Sequence, residues 1–321
     1  MTQPDNRPNF TVNEWIDTFL DLPDEENAIE DLSRQSEREA LLRDAEIGIP
    51  SAQYRVALNY DRGRNGFEKD RRKAVEWLRK AAKQGHTDAQ FLLALRLFNG
   101  DGCDQDKAEA VKWYRAAARQ GHQGAQNNLG FCLINGDGCD QDKAEAVKWF
   151  RKAARQGDAH AQYNLGVCLS KGEGCEQDQV KAVMWLRKAA RQGFALAQNN
   201  LGCCLLNGNG CDQDKVKAVM WFRRAARQGL APAQNNVGSS LFNGDGCDQD
   251  LVKAVMWYRR AARQGDAVAQ YNLGRCLFDG KGCEKNQEEA VRLWHKACKQ
   301  GNFPALLKLI SLNIRNSHDV R

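Results

Sequence analysis

The chain has 321 residues, 42% of them hydrophobic and 27% charged, which supports a buried core and excludes general disorder. Its formal charge of +6 is unevenly placed: residues 1–50 hold four arginines against thirteen acids, net −9, so the remainder carries +15, since 15 − 9 = 6. No apolar run approaches the ~18 residues of a membrane span, and the opening MTQPDNRPNF has neither region of a secretory signal, so a reducing cytoplasm with free thiols is expected.

In chain order, residues 1–50 read as an acidic leader with capping helices. Thr11-x-x-Glu14 is a capping box ahead of Trp15, Ile16, Phe19 and Leu20, and Pro23 ends that segment. Glu37 to Gly48 reads as a worn helix, with Ala45 and Gly48 standing where Ala82 and Gly85 stand later. Its acids, with the rest of the leader, are expected to face the basic helices that follow.

Residues 51–303 are a repeat array. Gly85, Gly121, Gly157, Gly193, Gly229, Gly265 and Gly301 are spaced by 36 residues, and so are Trp77 to Trp257 and Cys103 to Cys283. A fixed period in this range marks a solenoid. Each repeat reads as two helices. In the first, Ala125, Leu129, Cys132 and Leu133 share one apolar face. Gly136 and Gly138 suit the positive φ of a helix-ending turn. The second helix starts at the N-cap Asp142, buries Ala146, Val147, Phe150, Ala153 and Ala154, and stops at Gly157. Nothing alternates as a strand would. In the last repeat the aromatic moves to Trp294, with Leu293 in the tryptophan position. Residues 304–321 add a closing cap, a helix over Pro304 to Asn313 and a fraying tail.

The pattern A-x-x-N-L-G, then N-G-x-G-C-x-x-D, then K-A-V-x-W-φ-R-K-A-A-x-Q-G resembles the Sel1-like repeat, a relative of the tetratricopeptide repeat. The resemblance covers about four fifths of the chain, seven times over. It implies an all-α, right-handed superhelical solenoid of about seven 36-residue helix-turn-helix repeats with N- and C-terminal capping helices. Cysteine replaces the family's usual apolar residue in six turns, and Phe67 takes that place in the first.

The cysteines form two columns, one in the turns (Cys103 to Cys283) and one on first helices (Cys132, Cys168, Cys204, Cys276). A cysteine-rich branch of the family staples its helices with disulfides, but only Cys298 occupies such a position here, and Leu306 stands where its partner would be. No Cys-x-x-Cys or paired His motif marks a metal. Two readings stay open: small buried hydrophobes, or redox-sensitive pairs of the Cys132–Cys139 type.

No nucleotide-binding or hydrolase motif appears, so a non-catalytic scaffold with no cofactor is expected. The resemblance implies that first helices line a concave groove for a protein or peptide. Asn128, Asn164, Asn200, Asn236 and Asn272 recur there, and an Asn amide both donates and accepts. They read either as a grip on an extended backbone or as bonds between adjacent helices. Around them Phe91, Leu95, Phe98, Asn127, Phe131, Tyr163, Tyr271 and Arg275 vary, so specificity is placed there.

The second helices carry a basic stripe, with Lys148, Arg151, Lys152 and Arg155 at i, i+3, i+4 and i+7, and Arg187, Arg223 and Arg259 repeating it. This gives the alternative reading, a nucleic-acid or acidic-partner face, against a merely solvated one; no aromatic residue is expected to interleave with it. A third reading, β-lactam binding or hydrolysis, is implied only by the cysteine-rich relatives whose disulfide framework is missing.

Overall fold

A computed structural model describes residues 25–318, and every element among them is helical. The chain opens with α1 (Glu25–Glu46). Seven helix pairs follow: α2 (Pro50–Arg62) with α3 (Arg71–Lys83), α4 (Thr87–Asn99) with α5 (Lys107–Arg119), α6 (Gln123–Asn135) with α7 (Lys143–Arg155), and α8 (Ala159–Lys171) with α9 (Gln179–Arg191). The last three are α10 (Ala195–Asn207) with α11 (Lys215–Arg227), α12 (Ala231–Asn243) with α13 (Leu251–Arg263), and α14 (Ala267–Asp279) with α15 (Gln287–Lys299); α16 (Phe303–His318) closes the array. Among the described residues the helices group into two compact parts, one up to residue 125 and one from residue 126. No described helix is long and apolar enough to cross a membrane.

The second helices start where the sequence predicts. Asp106 and Asp142 accept from the backbone N–H of Glu109 and Glu145, and Asp178, Asp214 and Asp250 do the same for Lys181, Lys217 and Lys253. Each such cap is worth about 1 kcal/mol. Their inner faces are closed by Ala and one large residue per repeat: Tyr114, Phe150, Leu186, Phe222, Tyr258 and finally Trp294, which is 0% exposed. Trp294 thus fills the buried column rather than the tryptophan column, and its indole N–H donates to the Tyr271 carbonyl at 3.1 Å.

Two features join repeat to repeat. The first is a buried glutamine network. Gln162 donates to the Ala154 carbonyl at the end of the preceding second helix and accepts from Gln192 at 2.9 Å. Gln90, Gln198, Gln234 and Gln270 repeat both bonds. All are about 95% buried, with 4–5% exposure, so unpaired amides here would carry a full desolvation cost.

The second is the turn. Gly208 (φ +74°) caps α10 in the left-handed region, and Gly210 (φ +71°) lies against the first residue of α9, one repeat earlier. A Cβ on Gly210 would overlap the Gln179 carbonyl and stand 2.9 Å from its Cβ. The turn is therefore a contact between backbones of adjacent repeats, beyond the reversal of direction that the Gly-x-Gly spacing implies.

The ends differ from expectation. The capping box at Thr11 and the apolar segment Trp15 to Leu20 lie outside the described residues. The first described helix runs from Glu25 rather than Glu37, because no Gly or Pro interrupts residues 25–46. It packs through Leu41 and Ala45 onto Val56 and Phe67, the latter 4% exposed and edge-on to Tyr60 at 4.9 Å. The closing helix continues through His318, past the expected end at Asn313, again with no breaker in its path.

Candidate functional site

The first-helix face holds the expected binding residues in two groups. Phe91, Leu95 and Phe98 lie on α4, in the first compact part. Phe91 stacks on His122 at 4.3 Å, Phe98 stands 6.4 Å from Tyr114, and Lys107 sits over the Phe98 ring at 5.0 Å. His122 caps α6 by accepting from the Ala125 N–H through Nδ1, a role that needs the neutral ring, and burial lowers its pKa accordingly.

The other residues lie on α6, α8, α10, α12 and α14. Here the asparagine column bonds between repeats. Asn164 donates to Asn127 at 3.0 Å, Asn236 to Asn199 at 2.9 Å and Asn272 to Asn235 at 3.0 Å. Asn200 is hydrogen-bonded with the Tyr163 hydroxyl, and Asn128 accepts from Asn127 at 3.3 Å. Asn164, Asn200, Asn236 and Asn272 thus make the bond between adjacent first helices, whereas Asn128 bonds within its own helix. Beside it, Phe131 is 48% exposed, Arg275 is exposed with its guanidinium 5.8 Å from the Tyr271 ring, and Tyr163 packs edge-on to Phe194 at 5.2 Å.

On the second helices Lys148, Arg151, Lys152, Arg155, Arg187, Arg223 and Arg259 are all exposed. Aromatic rings do interleave, against expectation. Lys152 lies 4.1 Å from the Trp149 ring centre, Lys188 4.3 Å from Trp185, Arg224 4.6 Å from Trp221 and Arg260 5.2 Å from Trp257. The cause is spacing: the cation stands three residues after the tryptophan, so the two share a helix face. That i, i+3 pair was visible in the sequence and would have revealed the stacking.

All twelve cysteines are free thiols, and no group of three or more metal-ligating side chains occurs among the described residues. Burial pushes the thiols of Cys168, Cys204 and Cys276 up to about 11. The turn thiols of Cys103, Cys175, Cys211, Cys247 and Cys283 are raised too, again mainly by burial. An unfolded thiol ionises first, so the folded state holds more protons and stability falls as pH rises from about 9 to about 11. Melting curves across that window should show a drop that Cys168→Val/Cys204→Val/Cys276→Val reduces; an equal drop in the variant would assign it elsewhere.

Paired helices at a constant period, tied by glutamine and asparagine ladders, define an α-solenoid of the tetratricopeptide-like class. The Sel1 repeat profile matches residues 50–86, 87–122, 124–158, 159–194, 195–230, 231–266 and 267–302, and the chain belongs to the Sel1 repeat family. It is similar in structure to a protective antigen present in uropathogenic Escherichia coli strains, with a TM-score of 0.73 and 37% identity over 83% of this chain. The chain spans 57% of that antigen's length. A Sel1 repeat protein from Oxalobacter formigenes gives a TM-score of 0.67 and 33% identity, over 85% of this chain and 79% of that one. No curated protein matches the chain.

Proposed function

We propose that the chain is a non-catalytic interaction scaffold whose first-helix face takes a protein or peptide partner. One observation supports this most directly: the glutamine ladder that joins repeats is constant, while two columns on the first-helix face change. One column reads Phe91, Asn127, Tyr163, Asn199, Asn235, Tyr271; another reads Leu95, Phe131, Val167, Cys203, Ser239, Arg275. Variety on a rigid, copied frame gives a surface that is already ordered before binding, which lowers the entropic cost of association.

Because the asparagine amides hold neighbouring repeats, replacing them would mix stability with affinity. The test therefore uses a photo-crosslinking side chain at Phe131, Tyr163 or Arg275, and separately at Lys148 on the second-helix face. Discrete protein adducts from the first-helix positions, resistant to nuclease, are the expected result, whatever Lys148 captures. Adducts only from Lys148, or none, would defeat the reading.

A further inference from the structure

The second helices of the fourth, fifth and sixth repeats depart from the others at three positions. Where α7 has Ala144, Glu145 and Lys148, α9 has Val180, Lys181 and Met184; α11 and α13 carry the same change as Val216, Lys217, Met220 and Val252, Lys253, Met256. The apolar residues face water: Val180, Val216 and Val252 are 60%, 60% and 61% exposed, and Met184, Met220 and Met256 are 55%, 52% and 59% exposed. In α15 the same two positions hold an ion pair, Arg292 to Glu288. A Val–Met pair one turn apart, repeated on three successive second helices, puts six exposed apolar side chains in register, which a solvated face has no reason to carry.

The acid-to-lysine change alters the charge beside those side chains. In α5, Glu109 takes a bidentate ion pair from Arg79 of the preceding repeat and accepts from the Trp113 indole at 3.1 Å. In the three altered helices the lysine turns to its own cap instead, Lys181 to Asp178 at 2.7 Å, Lys217 to Asp214 at 2.8 Å and Lys253 to Asp250 at 2.7 Å. Arg151 stands in the Arg79 position, and Lys181 stands where its acidic partner would be. Among the described residues Arg151, Arg187 and Arg223 form no ion pair. Between α7 and α9 an open groove of about 570 Å³ is lined by Arg151, Arg155, Lys181 and Trp185, with Glu176 and Asp178 also in its lining.

We infer that the outer face of α9, α11 and α13 docks an amphipathic helix of a partner protein. Its apolar side covers the Val–Met pairs, and its flanking Asp and Glu residues pair with Arg151, Arg187 and Arg223. Charge selects this occupant. A second copy of the same face would set arginine rows against each other, and a nucleic acid would satisfy the arginines but leave six apolar side chains in water. Size agrees: three helices about 10 Å apart place the outer two about 20 Å from each other, within reach of a helix of about 18 residues at 1.5 Å each. Methionine suits such a groove because its flexible thioether adapts to different apolar shapes. This surface is separate from the first-helix face, so either reading can fail alone.

The test is fluorescence anisotropy on the full chain. The probe is a labelled peptide of about 18 residues, with leucine at i, i+3, i+4 and i+7 and glutamate elsewhere. A scrambled peptide, phosphatidylserine vesicles and a single-stranded oligonucleotide are run beside it. Two triple variants keep the result interpretable: Met184→Lys/Met220→Lys/Met256→Lys, which installs the residue of Lys148, and Lys181→Glu/Lys217→Glu/Lys253→Glu, which restores the acid of Glu109. Both alter exposed positions along lines other repeats already follow, and circular dichroism should be unchanged. Saturable binding that each variant weakens about tenfold or more is expected. Equal binding of the scrambled peptide, no binding, or unchanged affinity in the methionine variant would overturn the inference. So would vesicle or oligonucleotide binding tighter than the peptide's, or peptide binding seen only after residues 1–24 are removed, which would make the leader the occupant.

Discussion

Gly210→Ala lowers the unfolding free energy by about 3 kcal/mol or more, while Gly229→Ala costs about 1 kcal/mol. Both glycines have positive φ, +71° and +93°, so both substitutions carry the same left-handed backbone penalty. They differ in their neighbours. Nothing lies within 4 Å of a Cβ on Gly229, whereas a Cβ on Gly210 meets the Gln179 backbone, which cannot rotate away as a side chain would. The turn must then lift off the preceding repeat and take the start of α11 with it. Urea denaturation of the two variants checks this. Similar losses would show that φ alone, and not the contact between repeats, makes this glycine necessary.

Gln198→Leu is expected to cost about 2 kcal/mol, although leucine is similar in size and prefers helices. The change removes the bond to the Ala190 carbonyl and the acceptor for Gln228, at a site 4% exposed. Gln228 keeps its bond to the Gly193 carbonyl at 2.9 Å, so the loss falls mainly on Ala190 and on the coupling between repeats. Gln177→Leu is the matched control. Its amide donates to the Ser170 carbonyl at 2.8 Å but is exposed, and water replaces that bond at a cost of about 0.5 kcal/mol or less. Equal losses at the two sites would mean that burial of the ladder contributes nothing.

The solenoid was legible because its signals are local and repeated. Gly85 to Gly301 fix the period, Asp142 marks a helix start, and Ala125, Leu129 and Leu133 mark a face. What was hidden depends on the next repeat. Gln162 reads as a polar residue in a helix, and only a partner thirty positions on, Gln192, explains its burial. Asn164 was compatible with two roles until Asn127 was found as its acceptor. The second glycine of a turn such as Gly210 reads as part of a reversal because the backbone it touches belongs to the repeat before. The Val–Met substitutions stood in plain view in α9, α11 and α13. Val and Met read there as ordinary helix apolars, and only their 52–61% exposure shows that they face water. At the ends, periodicity stops, and helix length follows from the absence of Gly and Pro rather than from a repeating pattern.

The backbone contact at Gly210 has a consequence for how such a chain can change length. The turns at Gly102, Gly174, Gly210, Gly246 and Gly282 each find their seat on the helix start of the repeat before, at the same offset of 31 residues. Excising or inserting one whole 36-residue period preserves every seat, because the new neighbours present the same carbonyl in the same place. Removing any other number of residues puts a turn where no seat exists. The array is quantised, and unequal recombination between its near-identical copies can lengthen or shorten the protein without inventing a single new joint.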